Sequence, residues 1–241
     1  MPHLSVNGVS KSFRGLRAVA DASFEIEPHT IAALIGPNGA GKTTIFNLIA
    51  GVHRPDSGEI HLAGRRISGL RPDGVCAAGI GRTFQLVKPF AGISVLDNVI
   101  VGALHRERSV AAARRRASEM LERLGLGGRA DAPAAELNLA DRRRLELARA
   151  LATRPTLLLL DEVMAGLRPT EIDELVAVLQ AIRREEGIAV LLTEHVMRAV
   201  MALAEHIVVL NHGEIVARGA PATVVGDPAV LACYLGEEAA L

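Results

Sequence analysis

The stretch Gly36-Pro37-Asn38-Gly39-Ala40-Gly41-Lys42-Thr43-Thr44 decides the fold, because it fits the pattern G-x-x-x-x-G-K-[ST] of a phosphate-binding loop. An unbroken apolar segment, Ile31–Ile35, precedes it and is short enough to be a buried strand. Residues 44–50 follow it and predict a helix closed by Gly51. In such a loop the backbone N–H groups surround the phosphates, and the helix N-terminus adds its positive end. The stretch therefore predicts a site for a nucleoside triphosphate.

Two side chains of this loop have predicted roles of their own. Lys42 is expected to reach the β- and γ-phosphates, and the Thr43 hydroxyl is expected to hold Mg²⁺. The alternative is a glycine-rich turn that binds nothing. The complete motif between a strand and a helix disfavours that alternative. ATP and Mg²⁺ are the cofactors that follow from this interpretation.

Composition limits the other classes of function. The chain has 241 residues, 49% of them apolar, and equal numbers of acidic and basic residues give a net charge of zero. The apolar content excludes disorder. The zero net charge disfavours general electrostatic binding to nucleic acid, so the Arg114–Arg116 triplet is interpreted as a solvated helix face. Cys76 and Cys233 form no C-x-x-C pattern and are expected to be reduced thiols. No apolar run approaches the ~20 residues that span a bilayer, so work at a membrane would need a partner.

The order of predicted strands and helices indicates an α/β fold. Strands of period two near the N-terminus, at residues 4–6, 22–26 and 58–64, are typical of an antiparallel flank. Continuous apolar runs at residues 157–160, 188–192 and 207–210 are typical of parallel strands buried on both faces. The prediction is a P-loop core with a mainly parallel sheet, an antiparallel β flank and an inserted helical subdomain. One domain would span residues 1–241, with the core at about 1–85 and 153–241 and the helical subdomain at about 86–152.

Asp161 and Glu162 supply a second set of nucleotide chemistry, because they follow the apolar run 157–160 directly. An aspartate at such a strand end can hold Mg²⁺, and the next residue can polarise the water that attacks the γ-phosphate. Alone, an apolar run followed by two acids is a weak signal, and a solvated carboxylate is the ordinary interpretation of Glu162. Behind a complete phosphate-binding loop the signal becomes strong.

His195 and Gln85 follow two further predicted strands. In Thr193-Glu194-His195 the histidine can contact the γ-phosphate, although a structural role would be the ordinary interpretation. Gln85 ends a strand just before the helical insert, where a surface glutamine would be ordinary.

Together these spacings resemble the ATP-binding subunits of ABC transporters over essentially the whole chain. The resemblance implies that Gly36 to Thr43 is the Walker A loop, that Asp161 is the Walker B aspartate and that Glu162 is the catalytic glutamate. It further implies that Gln85 touches Mg²⁺ and links to the membrane subunit, and that His195 is the switch histidine, a third catalytic residue beside Glu162 and Lys42. Phe13 is similar to the aromatic residue on which adenine stacks, the alternative being a core aromatic.

Within this family, three stretches resemble the branched-chain amino acid uptake ATPases. They are residues 81–85, 161–167 and the tail at 232–237. The resemblance implies a head-to-tail dimer with a second, different ATPase subunit, two permease subunits, and a binding protein outside the membrane. The chain would lie peripherally on the cytoplasmic face of the inner or plasma membrane, and residues 87–101 would form the surface that docks on the permease.

The family's signature, usually Leu-Ser-Gly-Gly-Gln, is degenerate in this chain. The aligned residues are Leu137-Asn138-Leu139-Ala140-Asp141, of which Asn138 can still cap a helix. Ala140 adds a methyl group where backbone should approach phosphate closely, and Asp141 adds negative charge. Arg168 also departs from the usual Asp or Asn that faces the partner. Asn138 and Ala140 are nevertheless predicted to face the partner's nucleotide, and the departures suggest that the two ATP sites of the dimer differ in activity.

Two other classes of function stay open at this stage. A soluble ABC-type ATPase with a non-transport role usually carries two cassettes or a long coiled-coil insertion, and this sequence shows neither. A P-loop kinase or GTPase would need a substrate lid or an Asn-Lys-x-Asp stretch, and no such stretch occurs. The leading hypothesis is an ATP-hydrolysing subunit of an importer for branched-chain or other amino acids. The transported substrate itself is not encoded in this subunit.

Overall fold

The computed structural model describes residues 1–85 and 87–235. In these residues, strands and helices alternate along most of the chain. The strands are β1 (Leu4–Phe13), β2 (Leu16–Ile26), β3 (Ile31–Ile35), β4 (Ser57–Leu62), β5 (Arg65–Arg66), β6 (Ile80–Arg82), β7 (Leu157–Asp161), β8 (Ala189–Thr193), β9 (His206–Asn211) and β10 (Glu214–Gly219). The α-helices are α1 (Lys42–Ile49), α2 (Pro72–Ala78), α3 (Val95–Ala103), α4 (Val110–Arg123), α5 (Leu139–Ala152), α6 (Pro169–Glu186), α7 (Met197–Leu203), α8 (Pro221–Val225) and α9 (Pro228–Leu235).

The central sheet has six strands in the order β10-β9-β3-β8-β7-β6. All neighbouring pairs are parallel except β9 and β10, which run antiparallel at one edge. Every residue of β3, β7 and β8 is buried, as expected for strands covered by helices on both faces. Their carboxyl ends meet at one edge of the sheet, where open α/β sheets bind ligands.

A second, antiparallel sheet has the order β2-β1-β4-β5. Its strands alternate between buried and exposed side chains, so Leu4, Val6 and Phe24 face inward while Glu25 faces solvent. The inward side chains share one apolar cluster with α1 and with one face of the central sheet. Helix α1, which carries the end of the phosphate-binding stretch, is thereby anchored in a core that includes residues of both sheets.

Helices α3, α4 and α5 form the helical region that the sequence predicts. Met120, Leu121 and Leu124 are buried in it, because they share one stripe of helical spacing. Arg114 and Arg115 are exposed, as predicted. The prediction of a solvated side chain is wrong for Arg116, which is only 13% exposed and pairs with Glu186 at 3.6 Å. The triplet is thus only partly a solvated face.

Several predicted boundaries shift by one or two residues. The helix predicted at 44–50 begins at Lys42 and ends at Ile49. Helix α6 ends at Glu186 and is capped by Gly187, whose φ of 64° is left-handed. Two residues of the tail at 232–237, 236 and 237, lie outside the described residues. In the part of the chain that is described, no helix combines the length and apolar character needed to cross a membrane. The division into core and helical subdomain at about residues 86 and 152 stays a prediction.

Candidate nucleotide-binding site

The phosphate-binding stretch forms a loop between β3 and α1 whose shape requires glycine at two positions. Gly36 and Gly41 have φ angles of 149° and 107°, which side chains rarely adopt. A Cβ atom would overlap the carbonyl oxygen of Leu210 at Gly36 and that of Ala18 at Gly41. The loop is therefore fixed by close backbone contact with neighbouring strands.

Helix α1 begins directly at the end of this loop. Its N-cap is Gly41, and within the described residues no side chain caps it. The first amides of a helix lack partners inside the helix, so they are free to bind an anion. Lys42 lies at this start and is 7% exposed, and its Nζ donates to the carbonyl oxygens of Gly36 at 2.6 Å and Pro37 at 2.9 Å. Burial lowers the pKa of Lys42, while the nearby Glu162 and Asp161 carboxylates oppose that shift.

Asp161 ends β7 and is 3% exposed. Thr193 on the neighbouring β8 donates its hydroxyl to Oδ1 at 2.9 Å, and Arg82 on β6 donates Nη2 to Oδ2 at 3.2 Å. The Asp161 backbone N–H donates to the hydroxyl of Thr83 at 3.2 Å. Both carboxylate oxygens are thus held by side chains from the flanking strands.

Two other predicted site residues contact the carboxylate of Glu162. Gln85 donates Nε2 to Oε2 at 2.7 Å, and the His195 Nε2 lies 2.9 Å from Oε1. The backbone of Glu162 has a φ of 50°, which is left-handed, and its N–H donates to the carbonyl oxygen of Thr193 at 3.0 Å. Three residues that are far apart in the sequence therefore converge at the carboxyl ends of β6, β7 and β8.

The residues predicted to hold Mg²⁺ fit that ion chemically. Thr43, Gln85 and Asp161 all line one groove of about 690 Å³. They offer a hydroxyl, an amide oxygen and a carboxylate, which are the hard oxygen ligands that Mg²⁺ prefers. The uncapped start of α1 beside them fits the phosphates that would share the ion.

Phe13 lies at the end of β1 with an exposed fraction of 38%. Its ring packs edge-on against His53, with ring centroids 5.1 Å apart, and Lys11 Nζ lies 5.7 Å from its centroid. The partial exposure argues against a core aromatic. Stacking on adenine stays a prediction.

The degenerate signature leads into the first turn of α5. Asn138 is the N-cap, and its Oδ1 accepts the N–H of Asp141 at 2.8 Å, so the predicted cap is present. Ala140 is half-buried in the first turn. Arg168 is highly exposed and pairs with Glu171 at 2.7 Å at the start of α6.

Comparisons with known proteins decide the family. A family model described as ABC transporter matches residues 19–165. A second, described as branched-chain amino acid ATP-binding cassette transporter, matches residues 214–240. The chain belongs to the ABC transporter family. It is 39% identical over 252 residues to the high-affinity branched-chain amino acid transport ATP-binding protein LivG of Escherichia coli K12, and the match covers 98% of each protein.

Solved structures of ABC cassettes have the same fold. A nucleotide-free ATP-binding cassette from an ABC transporter matches with a TM-score of 0.89 and 28% identity, over 98% of this chain and 100% of that one. The ADP conformation of an ABC transporter cassette matches with a TM-score of 0.88, 28% identity and the same coverage. The predicted fold class and the resemblance to branched-chain amino acid uptake ATPases are confirmed. The relatives support the transport subunit and not the soluble alternative.

Sequence reasoning missed Glu194, which the structure places inside this ABC site. Glu194 is 3% exposed, and its Oε1 accepts the N–H of Met164 at 2.8 Å. Burial raises the pKa of Glu194 to about 7. Its carboxylate therefore joins the turn that follows Glu162 to the chain directly after β8. The available signal was an acid directly after an apolar strand, in Thr193-Glu194-His195.

The groove that contains the metal-site residues extends along the helical region, and we call it the lateral groove. The ring of Phe84 lines it and is 55% exposed. Glu146 of α5 also lines it, is 5% exposed, and accepts the Phe84 N–H on Oε1 at 3.0 Å. Burial raises the pKa of Glu146 to about 7, although the Phe84 N–H and the Arg143 and Arg149 guanidinium groups oppose the shift.

Glu146→Gln is expected to change how stability depends on pH. An acid whose pKa rises from 4.5 to about 7 on folding favours the folded state fully below pH 4.5, and this contribution is lost as the pH rises to 7. Glutamine keeps an acceptor for the Phe84 N–H and removes the ionisation. Between pH 4.5 and pH 7, the unfolding free energy of the parent should therefore fall by about 3 kcal/mol more than that of Glu146→Gln. Urea unfolding between pH 5 and pH 8 measures the difference.

Glu119→Gln is the matched control for this measurement. Glu119 is 63% exposed on α4, so its substitution removes the same charge without a buried carboxyl. Parallel pH profiles for the parent and Glu146→Gln would contradict the assignment of a buried, proton-binding Glu146.

Proposed function

We propose that this chain is the ATP-hydrolysing subunit of an importer for branched-chain amino acids. The convergence of Gln85 and His195 on the Glu162 carboxylate, beside the loop of Lys42, is the observation that carries the proposal. The similarity to LivG, whose name gives branched-chain amino acid transport, supports the substrate class. Other amino acids would use the same subunit chemistry, because this chain does not contact the cargo.

Each site residue has one role in this proposal. The loop from Gly36 to Thr44 holds the triphosphate, and Phe13 stacks on adenine. Thr43, Gln85 and Asp161 hold Mg²⁺, which when bound neutralises charge on the phosphate oxygens. Glu162 accepts a proton from the attacking water, and His195 contacts the γ-phosphate while its ring keeps Glu162 in place. Lys42 balances the negative charge that develops during phosphate transfer.

A second ATPase subunit completes the nucleotide site in this proposal. Asn138 and Ala140 at the start of α5 would face the nucleotide of the partner in a head-to-tail dimer. The exposed Asn138 is consistent with that role, since its described side-chain hydrogen bond stays within its own turn.

Permease subunits and a binding protein outside the membrane complete the proposed transporter. The chain would associate peripherally with the cytoplasmic face of the membrane through residues 87–101. Phe90 in this segment is 46% exposed, and its ring lies 4.6 Å from the Arg149 guanidinium. An exposed aromatic held by a cation–π contact is a rigid anchor of the kind found in interfaces.

The proposal predicts that the tagged chain co-purifies from membranes with a polytopic permease and a second ATPase subunit. Phe90→Ala should weaken this association about tenfold or more, because it removes an interface anchor. Leu16→Ala is the matched control, since Leu16 is 73% exposed in the antiparallel sheet, outside the docking segment. Mass spectrometry of the purified complexes provides the measurement. Recovery of a monomer free of permease under mild detergent conditions would contradict the proposed function.

A further inference from the structure

Arg82 has no role in the proposed function, yet its guanidinium is bound to the Asp161 carboxylate. We infer that Arg82 is the resident counter-cation of Asp161, a positioning residue that orients this carboxylate and links it through Phe84 to the lateral groove. The inference rests on the proposed function in one respect, namely that Asp161 holds the metal. The pairing itself is a property of the chain alone.

Burial makes a counter-cation necessary. Asp161 is 3% exposed, and burying an ionised carboxylate is strongly unfavourable without a paired cation. Arg82 is 11% exposed in its side chain, and its Nη2 lies 3.2 Å from Asp161 Oδ2. Lys42, the other nearby cation, donates instead to the carbonyl oxygens of the loop. Thr193 holds the other carboxylate oxygen but brings no charge.

The guanidinium of Arg82 is fixed from three sides. Nη1 donates to Oδ1 of Asn47 on α1 at 2.8 Å, and Nη2 donates to Asp161. The guanidinium carbon lies 5.1 Å from the centroid of the Phe84 ring. A planar fork that bonds at two ends and stacks on an aromatic ring suits arginine and not lysine. One side chain thus joins the loop helix, the end of β7 and the wall of the groove.

Phe84 extends this link to the lateral groove. Its ring is 55% exposed in the lateral groove, while its backbone N–H is held by the buried Glu146. A partner segment that covers the ring removes water from the Arg82 stack, and cation–π contacts strengthen when they are desolvated. Occupation of the groove is therefore expected to strengthen the contact between Phe84 and Arg82, the residue that orients Asp161.

A double-mutant cycle tests the pairing without any nucleotide. Arg82→Met leaves Asp161 buried without its cation and should lower the folding equilibrium constant ~100-fold or more, as breaking a buried ion pair does. In Arg82→Met/Asp161→Asn neither charge remains, so the double variant should be at least ~10-fold more stable than the two single effects predict. Urea unfolding of the full chain measures all four proteins. Additive single effects would overturn the inference.

Arg149→Met is the matched control for the cycle. Arg149 also lines the groove and lies over an aromatic ring, that of Phe90, but its described hydrogen bond goes to the Lys88 carbonyl oxygen. Its effect should be additive with that of Asp161→Asn. If Arg149→Met couples to Asp161→Asn as strongly as Arg82→Met does, the specific pairing is wrong.

A milder variant extends the test to the metal and remains usable if Arg82→Met does not fold. Arg82→Gln keeps a hydrogen-bond donor near Asp161 but removes a positive charge that opposes Mg²⁺. The Mg²⁺ concentration at half-saturation for a fluorescent ADP analogue should fall several-fold in this variant. An unchanged or higher midpoint would overturn the counter-cation role. If the parent bound no nucleotide, the proposed function would fail, whereas the unfolding cycle would still report on the pairing.

Discussion

Lys42→Ala is expected to lower ATP affinity at least ~100-fold, because hydrogen bonds to charged groups contribute about 1.5–3 kcal/mol each and the lysine can donate several. Lys42 is 7% exposed at the start of α1, so its charge acts where water does not screen it well. Equilibrium titration with a fluorescent ATP analogue in the presence of Mg²⁺ measures the loss. Hydrolysis should fall with it, since little triphosphate remains bound.

Lys88→Ala is the control for charge removal. Lys88 lines the lateral groove, outside the phosphate-binding loop, so ATP affinity should stay within about twofold of the parent if long-range charge is screened. Melting temperatures of both variants establish that each is folded. A Lys42→Ala protein that binds and splits ATP like the parent would contradict the whole assignment of the site.

Glu162→Gln should have the opposite pattern, with ATP still bound but hydrolysed about 10²–10⁴-fold more slowly. Glutamine has nearly the shape of glutamate and can still contact Gln85 and His195, but its amide cannot accept a proton from water. Single-turnover phosphate release measures hydrolysis, and the same fluorescent titration measures binding. A variant that loses binding and hydrolysis together would show that Glu162 has a structural role instead.

The same substitution tests the expected difference between the two ATP sites of the dimer. The site completed by Leu137-Asn138-Leu139-Ala140-Asp141 is predicted to be the slower one, because Asp141 adds negative charge near the phosphate of the partner's ATP. Glu162→Gln in this chain should then reduce ATPase activity more than the equivalent substitution in the partner. Equal losses in the two heterodimers would contradict the asymmetry.

Most of the fold could be predicted from the sequence because its signals are local. The continuous apolar runs at β7, β8 and β9 reflect strands that are buried on both faces. The phosphate-binding stretch fixed the position of α1 in the chain. The order of strands in the sheet required the structure, because pairing between β3 and β9 joins residues more than 170 positions apart.

The site residues also fall into two groups, those that the sequence identifies and those that only the structure shows. Lys42, Asp161 and Glu162 lie in motifs whose spacing carries their chemistry, so the sequence identifies them as candidates. Arg82 and Glu194 could not be found in this way, because their roles depend on contacts with residues on other strands. A charged residue beside an apolar run indicates that its side chain needs a polar or charged group to bond with. The sequence does not show which residue supplies that group.

The left-handed backbone at Glu162 restricts the residue types that fit at this position, in addition to any chemical requirement for an acid. A φ of 50° is tolerated by glycine, asparagine and aspartate, and it is unfavourable for side chains branched at Cβ. Because the N–H of this residue donates to the carbonyl oxygen of Thr193, a change of this backbone angle would break a hydrogen bond between the ends of β7 and β8. Sequence drift at this position is therefore confined to a few residue types, even in a descendant that no longer splits ATP.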